Sequence, residues 1–224
     1  MIQKSLFATE VRPASRRVPV KRTKIALIAV PVVIVGAVVF LLTMGGPNPA
    51  QFEYLKEPQA RLLPDQRVLQ VEAKGEPEVA GGQAFGLLFK TYFKLKGVPK
   101  GPKQPAPRAR WPLSLDTPKD QWIGRYAMPV PESVNSLPSQ ETGEPGLRVT
   151  LTTWEYGDVA EILHVGPYDR EESTISKLTR FIKECGYEAV GEHEEEYVKG
   201  PGMFSKGNPQ KYLTIIRYRV KKVK

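Results

Sequence analysis

The sequence predicts an α+β fold in which two β-α-β-β units build an antiparallel sheet with two helices on one face. Three observations predict it: two stretches of the chain resemble each other, each is flanked by strand-like runs, and a polar divider separates them. The first stretch is Arg67–Leu95. Its opening, RVLQVEAKG, alternates apolar and polar residues as a half-buried strand does, and a helical run follows. The second is Asp158–Cys185, opening DVAEILHVGP. In both, the strand ends in glycine (Gly75, Gly166), a proline follows (Pro77, Pro167), and an amphipathic run comes next.

The helical runs follow from spacing. Phe85, Leu88, Phe89 and Tyr92 recur at i, i+3, i+4 and i+7, as do Ile175, Leu178, Phe181, Ile182 and Cys185. Asp169 with Glu172 reads as an N-cap with its N3 partner, and Gly186 as the glycine that closes the second helix. A strand candidate precedes each unit, at Phe52–Lys56 and at Leu147–Trp154. Two follow each: Trp111–Leu115 and Gln121–Val130 in the first half, Glu194–Val198 and Tyr212–Val220 in the second. Pro131–Gly146 is rich in Pro, Ser and Glu and reads as a solvated linker. Val98–Arg110 carries Lys100, Lys103, Arg108 and Arg110, four prolines and no acid. It reads as a polyproline-like surface loop; docking on anionic lipid or an acidic partner is the alternative.

The net charge is +9 in 224 residues, and residues 1–50 hold +6 of it. The remainder is nearly balanced, so the main body has no electrostatic motive for binding nucleic acid. Ile25–Met44 holds no charged residue, and as a helix its twenty residues reach ~30 Å, the span of a bilayer core. With six basic residues from Arg12 to Lys24, this predicts a single-pass membrane protein whose N-terminus is cytoplasmic and whose domain is on the other side. A cleaved signal peptide is the rival reading. The expected organisation is a basic arm (1–24), a transmembrane helix in contact with the lipid bilayer (25–44), a tether (45–51) and a domain (52–220). The domain has halves at 52–131 and 147–220 joined by a linker (132–146). One cysteine excludes an intrachain disulfide and a cysteine-rich zinc site. His164 and His193 are the only histidines, so no metal site and no cofactor is expected.

The C-terminal half resembles the GyrI-like small-molecule-binding domain, also known as the AraC effector-binding domain. The resemblance lies in VAEILHVGPY (Val159–Tyr168), a helix ending before Gly186-Tyr187, GEHEEEY (Gly191–Tyr197) and YLTIIRYRV (Tyr212–Val220). His164, Gly166 and Tyr168 match the family's H-x-G-x-Y strand end, and Glu195 and Tyr197 its Glu-x-Tyr strand. It is good over about residues 148–220 and loose over 52–131. The resemblance implies a pseudo-twofold pair of units with a ligand cleft between them. No helix-turn-helix precedes the domain, so the DNA-binding role of many relatives is not implied. The acidic run Glu192, Glu194, Glu195, Glu196 leaves the key carboxylate open among Glu194, Glu195 and Glu196.

Strand alternation puts His193, Glu195 and Tyr197 on one face and Glu194, Glu196 and Val198 on the other. A carboxylate among aromatic rings attracts lipophilic cations through its charge and through cation–π contact. The candidate ligand-binding residues are Glu195, Tyr197, Trp111, Tyr126, Trp154, Tyr156 and Tyr212, with His164 holding the strand end. The expected function is non-catalytic binding of a small lipophilic or cationic molecule, as a sensor or sequestering protein. One alternative, which the family resemblance suggests, is a hydrolase of reactive electrophiles with Glu195 as base and Tyr197 as proton donor. Another is an adaptor for an unknown protein partner. The sequence shows no nucleophile elbow, phosphate loop or zinc-protease motif.

Overall fold

In each half one long β-strand runs into a helix, and two further strands return beside it. A computed structural model describes residues 49–112, 117–139, 146–201 and 207–223. The strands are β1 (Gln59–Leu63), β2 (Gln66–Lys74), β3 (Arg108–Trp111), β4 (Ile123–Pro129), β5 (Thr150–Trp154), β6 (Gly157–Val165), β7 (Tyr187–Ala189), β8 (His193–Lys199) and β9 (Leu213–Lys222). The helices are α1 (Pro77–Lys94) and α2 (Glu172–Glu184). The main sheet has the order β1-β6-β9-β8-β3-β4-β2-β5, every pairing is antiparallel, and β7 adds to β9.

This order reads the same from both ends. The unit β2-α1-β3-β4 matches β6-α2-β8-β9, and the pseudo-twofold axis passes between β3 and β8. The strand preceding each unit crosses over: β1 pairs with β6 and β5 with β2. The halves are thus joined by exchanged edge strands as well as by the central seam.

The helix-facing side of the sheet carries two cores. Leu69, Val71, Tyr126 and Met128 pack under Ala84, Leu88 and Tyr92 of α1. Ala160, Ile162 and Ile216 pack under Leu178 and Ile182 of α2. A Cβ on Gly124 would lie 2.6 Å from the Tyr126 ring, so only glycine lets that ring lie flat against its own strand. The opposite side is covered in part by the 3-10 helix Pro49–Leu55, whose Phe52 and Leu55 meet Leu163, Leu213 and Ile215.

Several expectations are corrected. Phe52–Lys56 is not a strand. Residues three apart eclipse in a 3-10 helix, so Phe52 and Leu55 reach the same apolar patch, and β1 begins only at Gln59. Asp169 does not cap α2. Pro167 fixes the chain entering a short 3-10 turn, Tyr168–Arg170, and the first α-helical bond runs from Ile175 N–H to the Glu171 carbonyl, at 2.9 Å. The linker is not wholly solvated: Val134 is buried and its carbonyl accepts from Arg67 Nε at 2.7 Å.

The basic, proline-rich run is corrected most sharply. Its end is β3, in the middle of the sheet, and the side chains of Arg108 and Arg110 are mostly buried on the face away from the helices. There Arg110 Nε donates to Glu194 at 2.7 Å and Arg108 reaches Glu196 at 3.2 Å. Arg217 of β9, fully buried, donates to Glu161 (2.8 Å), Glu194 (2.7 Å) and Glu196 (3.2 Å). The prolines mark the approach to a strand rather than a free loop.

The single-pass membrane placement is also corrected. Among the described residues no helix is long and apolar enough to cross a membrane. Ile25–Met44, like the arm before it, lies outside those residues.

The buried arginine network generates a stability contrast. Arg217→Met strands Glu161 and Glu194 without their shared counter-charge and is expected to cost about 3–5 kcal/mol. Lys221→Ala breaks only the exposed pair with Glu188 and is expected to cost about 0–1 kcal/mol. Urea unfolding of the two variants against the parent checks both values.

Candidate functional site

Period-two alternation sorts the acidic run of β8 onto two faces. Glu194 and Glu196 point to the outer face and are neutralised by Arg108, Arg110 and Arg217. Their surroundings hold Glu194 below the usual carboxylate range: burial opposes its charge, but Arg217, Arg110 and Arg108 outweigh it. Glu195 points to the helix side, where no arginine meets it among the described residues. Register places it opposite Ala109 of β3 and Ile216 of β9. The small Ala109 side chain leaves its flank to the neighbouring rings.

Three donors converge on Glu195. Its Oε1 accepts from Trp111 Nε1 and His193 Nε2, both at 3.0 Å, and its Oε2 accepts from the Tyr197 hydroxyl at 2.7 Å. His193 Nδ1 lies 2.8 Å from the Tyr218 hydroxyl. An ionised carboxylate only accepts, so the His193 proton belongs on Nε2, and Nδ1 accepts from Tyr218 when the ring is neutral. Burial works against the Glu195 charge, but the His193 bond and its proximity, with Tyr197 and Trp111, outweigh burial and hold the carboxyl below its ordinary range. The side chain retains 12% exposure.

A second carboxyl stands beside it. Glu171, the residue before α2, is 5% exposed, and its Oε1 is buried with no hydrogen-bond partner among the described residues. Burial, then repulsion from Glu195, push its carboxyl up to about 9, against a partial offset from the Thr214 hydroxyl. The site thus holds one ionised and one neutral carboxyl at neutral pH. Glu171, His193 and Glu195 bring possible ligand atoms within 4.8 Å of one another, as a metal site would. Both oxygens of Glu195 already accept from protein donors, so this is a hydrogen-bonded acid cluster rather than a free ligand set.

Aromatic rings roof the cluster. Phe85 of α1 meets Tyr197 edge-on at 5.7 Å, Tyr197 meets Tyr168 at 5.3 Å, and Tyr168 meets Tyr212 at 5.2 Å. Trp111 and Tyr126 extend the line on the other side, at 5.7 Å. These rings span from one half to the other above the seam. Tyr168 is 38% exposed, and its hydroxyl lies where a Cβ of residue 200 would stand, so Gly200 is what lets the ring fold down. Burial pushes the hydroxyls of Tyr168 and Tyr197 up, and the carboxylate nearby adds to this, so both remain donors.

Of the residues expected from sequence, Glu195, Tyr197, Trp111, Tyr126 and Tyr212 gather here. Trp154 and Tyr156 do not. They lie on the outer face, where Arg110 stacks over them at 4.1 and 4.8 Å. Tyr156 also accepts from Arg108 (2.7 Å) and donates to Glu194 (2.8 Å), and burial pushes it up to about 12. His164 ties the end of β6 to α2 through Thr174 (2.9 Å) and to the Pro167 carbonyl (3.2 Å), a structural role. Sequence reading missed Glu171, Tyr168 and Phe85 as site residues. Glu171 sits in a polar run, DREES, that looks like a helix cap, and only its inward turn distinguishes it.

No family model matches the sequence, and no curated protein matches it. Solved structures do match. A conserved protein from Listeria innocua aligns at 22% identity and TM-score 0.57, over 74% of this chain and 93% of that one. A hydrolase from Listeria innocua aligns at 22% identity and TM-score 0.55, over 74% and 92%. The EcmrR C-terminal domain aligns at 13% and TM-score 0.50, over 75% and 98%. The chain therefore shares the pseudo-twofold α+β fold of GyrI-like domains, as the sequence resemblance implied.

The raised Glu171 carboxyl fixes a pH dependence. Its folded pKa of about 9 exceeds the ordinary 4.5, so the native state binds more protons than the unfolded state between those values. Its contribution is fully present below about 4.5 and is lost as pH rises through about 9. Urea midpoints measured at intervals across this window are expected to fall with pH in the parent and to fall much less in Glu171→Gln.

Proposed function

We propose that this domain binds a small organic cation carrying an apolar or aromatic body, at the cluster of rings above Glu195, without chemical conversion. The observation that carries the reading is the position of Glu195. It is an ionised carboxylate on the apolar, helix-facing side of the sheet, paired with hydrogen-bond donors but, among the described residues, with no arginine or lysine. A charge there is poorly screened and is bordered by the faces and edges of Tyr197, Tyr168, Tyr212 and Phe85, so a cation gains both Coulomb and cation–π attraction. The rings close over the site, and Tyr168 is the most exposed of them.

A second reading, hydrolysis of an electrophile, draws support from the hydrolase among the fold's neighbours and from the paired ionised and neutral carboxyls. In it Glu195 positions a water as base. Tyr197 is a weak proton donor there, because its hydroxyl already serves Glu195 at 2.7 Å. Protonated Glu171 is the better-placed acid.

The test uses the full-length chain and two sets of probes, aromatic cations and neutral molecules of the same shape. Thermal stabilisation is expected for the cations, and Glu195→Gln is expected to reduce their affinity at least tenfold. Equal binding of charged and neutral probes, unaltered by Glu195→Gln, overturns the proposal. Turnover of an epoxide or activated ester that is lost in Glu195→Gln favours the second reading.

A further inference from the structure

We propose that the site is selective for cations that carry N–H donors, primary or secondary ammonium groups, and that Glu171 sets this selectivity by accepting a hydrogen bond from the ligand and giving up its own proton. The inference rests on the cation-binding reading above and names the class of cation.

The geometry begins with acceptors. Oε1 of Glu195 takes two donors, Trp111 and His193, and Oε2 takes one, Tyr197. A carboxylate oxygen has two lone pairs, so Glu195 has one acceptor position left, on Oε2. Among the described residues Glu171 Oε1, which is buried, takes none. Buried polar atoms in folded proteins are nearly always paired, and an orphan of this kind beside a ring-lined carboxylate marks the place of a missing donor. An ammonium group between the two carboxyls supplies donors to both. A quaternary ammonium has the same charge but no N–H, and leaves Glu171 Oε1 unpaired.

The proton balance follows. Before binding, Glu171 is neutral and Glu195 ionised. The groups that face Glu171 are Glu195, His193 and Tyr197 on β8, Tyr168 in the turn before α2, and Thr214 and Tyr218 on β9. Glu195 is held ionised, the hydroxyls of Tyr168, Tyr197 and Tyr218 are held protonated, and the His193 ring is committed to Glu195 on one side and Tyr218 on the other. An incoming cation therefore acts on Glu171: one ammonium enters, the Glu171 O–H bond breaks, and one proton leaves to solvent. The Glu171 carboxyl, raised to about 9 by burial and then by Glu195, agrees with a proton that a cation beside it displaces. Affinity for an ammonium should then rise about tenfold per pH unit from pH 6 to pH 8, where the amine itself stays charged.

The experiment compares 2-phenylethylamine with its N,N,N-trimethyl counterpart on the full chain by calorimetry, at pH 6, 7 and 8 and in buffers of different ionisation heat. Three results are expected: the primary amine binds at least tenfold more tightly, about one proton is released per amine bound, and Glu171→Gln removes the pH dependence. The proton count is read on the unmodified protein, so it does not depend on the variant's folding. If both cations bind equally in a Glu195-dependent way, with no proton release, this inference is overturned and the cation-binding reading stands. If neither binds, both fall.

Discussion

The pairing of β3 with β8 is the constraint on which the molecule depends. It is short, from Arg108 to Trp111 against His193 to Glu196, yet it joins the two halves and fixes the side to which each acid of β8 points. A shift of one residue would carry Glu195 to the arginine face and drive Glu194 and Glu196 into the aromatic rings. The outer-face ion pairs oppose that shift. Arg108 and Arg110 meet Glu196 and Glu194 in register, and Arg217 locks the same acids from β9. A buried ion network is a weak source of net stability, because the desolvation of each charge offsets most of the attraction. Its role here is to specify register, and through register to isolate one carboxylate.

That isolation explains the electrostatics of the inner face. Glu194 and Glu195 are adjacent in sequence and both are held ionised, but by different means: three arginines in one case, hydrogen bonds from His193, Tyr197 and Trp111 in the other. The first arrangement cancels charge locally. The second leaves it to act on neighbours, where it adds to burial, the larger cause, in raising the Glu171 carboxyl and the hydroxyls of Tyr168 and Tyr197. Two carboxyls with different protonation states side by side are the signature of an arrangement suited to proton exchange with a ligand or substrate.

Much of this was legible in the sequence, and the boundary of legibility is physical. The helices and long strands were readable because each buries one face, so their periodicity is printed in the chain; β2 and β6 begin within a residue of where apolar alternation starts. The grouping of His193, Glu195 and Tyr197 followed from alternation alone. Alternation could not say which acids would meet arginines, because those partners lie some 80 residues away, as Arg110 and Glu194 do. For the same reason the expected strand, Trp111–Leu115, starts three residues after β3 does: four prolines and four basic residues hide the start of a strand whose polar side chains are buried only because acids wait for them. Trp154 and Tyr156 were assigned to the wrong face because an aromatic residue serves a cation site and an arginine stack equally well. Glu171 was invisible, since nothing in a helix-capping sequence signals that one acid turns inward.

The closed roof of the site bears on how a ligand would be sensed. The ring line from Phe85 through Tyr197 and Tyr168 to Tyr212 crosses from α1 to the turn that precedes α2, and the same turn carries Glu171. Displacing Tyr168 therefore acts on the backbone that positions Glu171 and begins α2. Gly200 at the end of β8 holds Tyr168 down only by offering no side chain, so the closed form is a packing preference of one ring and not a covalent or ionic latch. The outer face, clamped by buried ion pairs, resists movement at the seam.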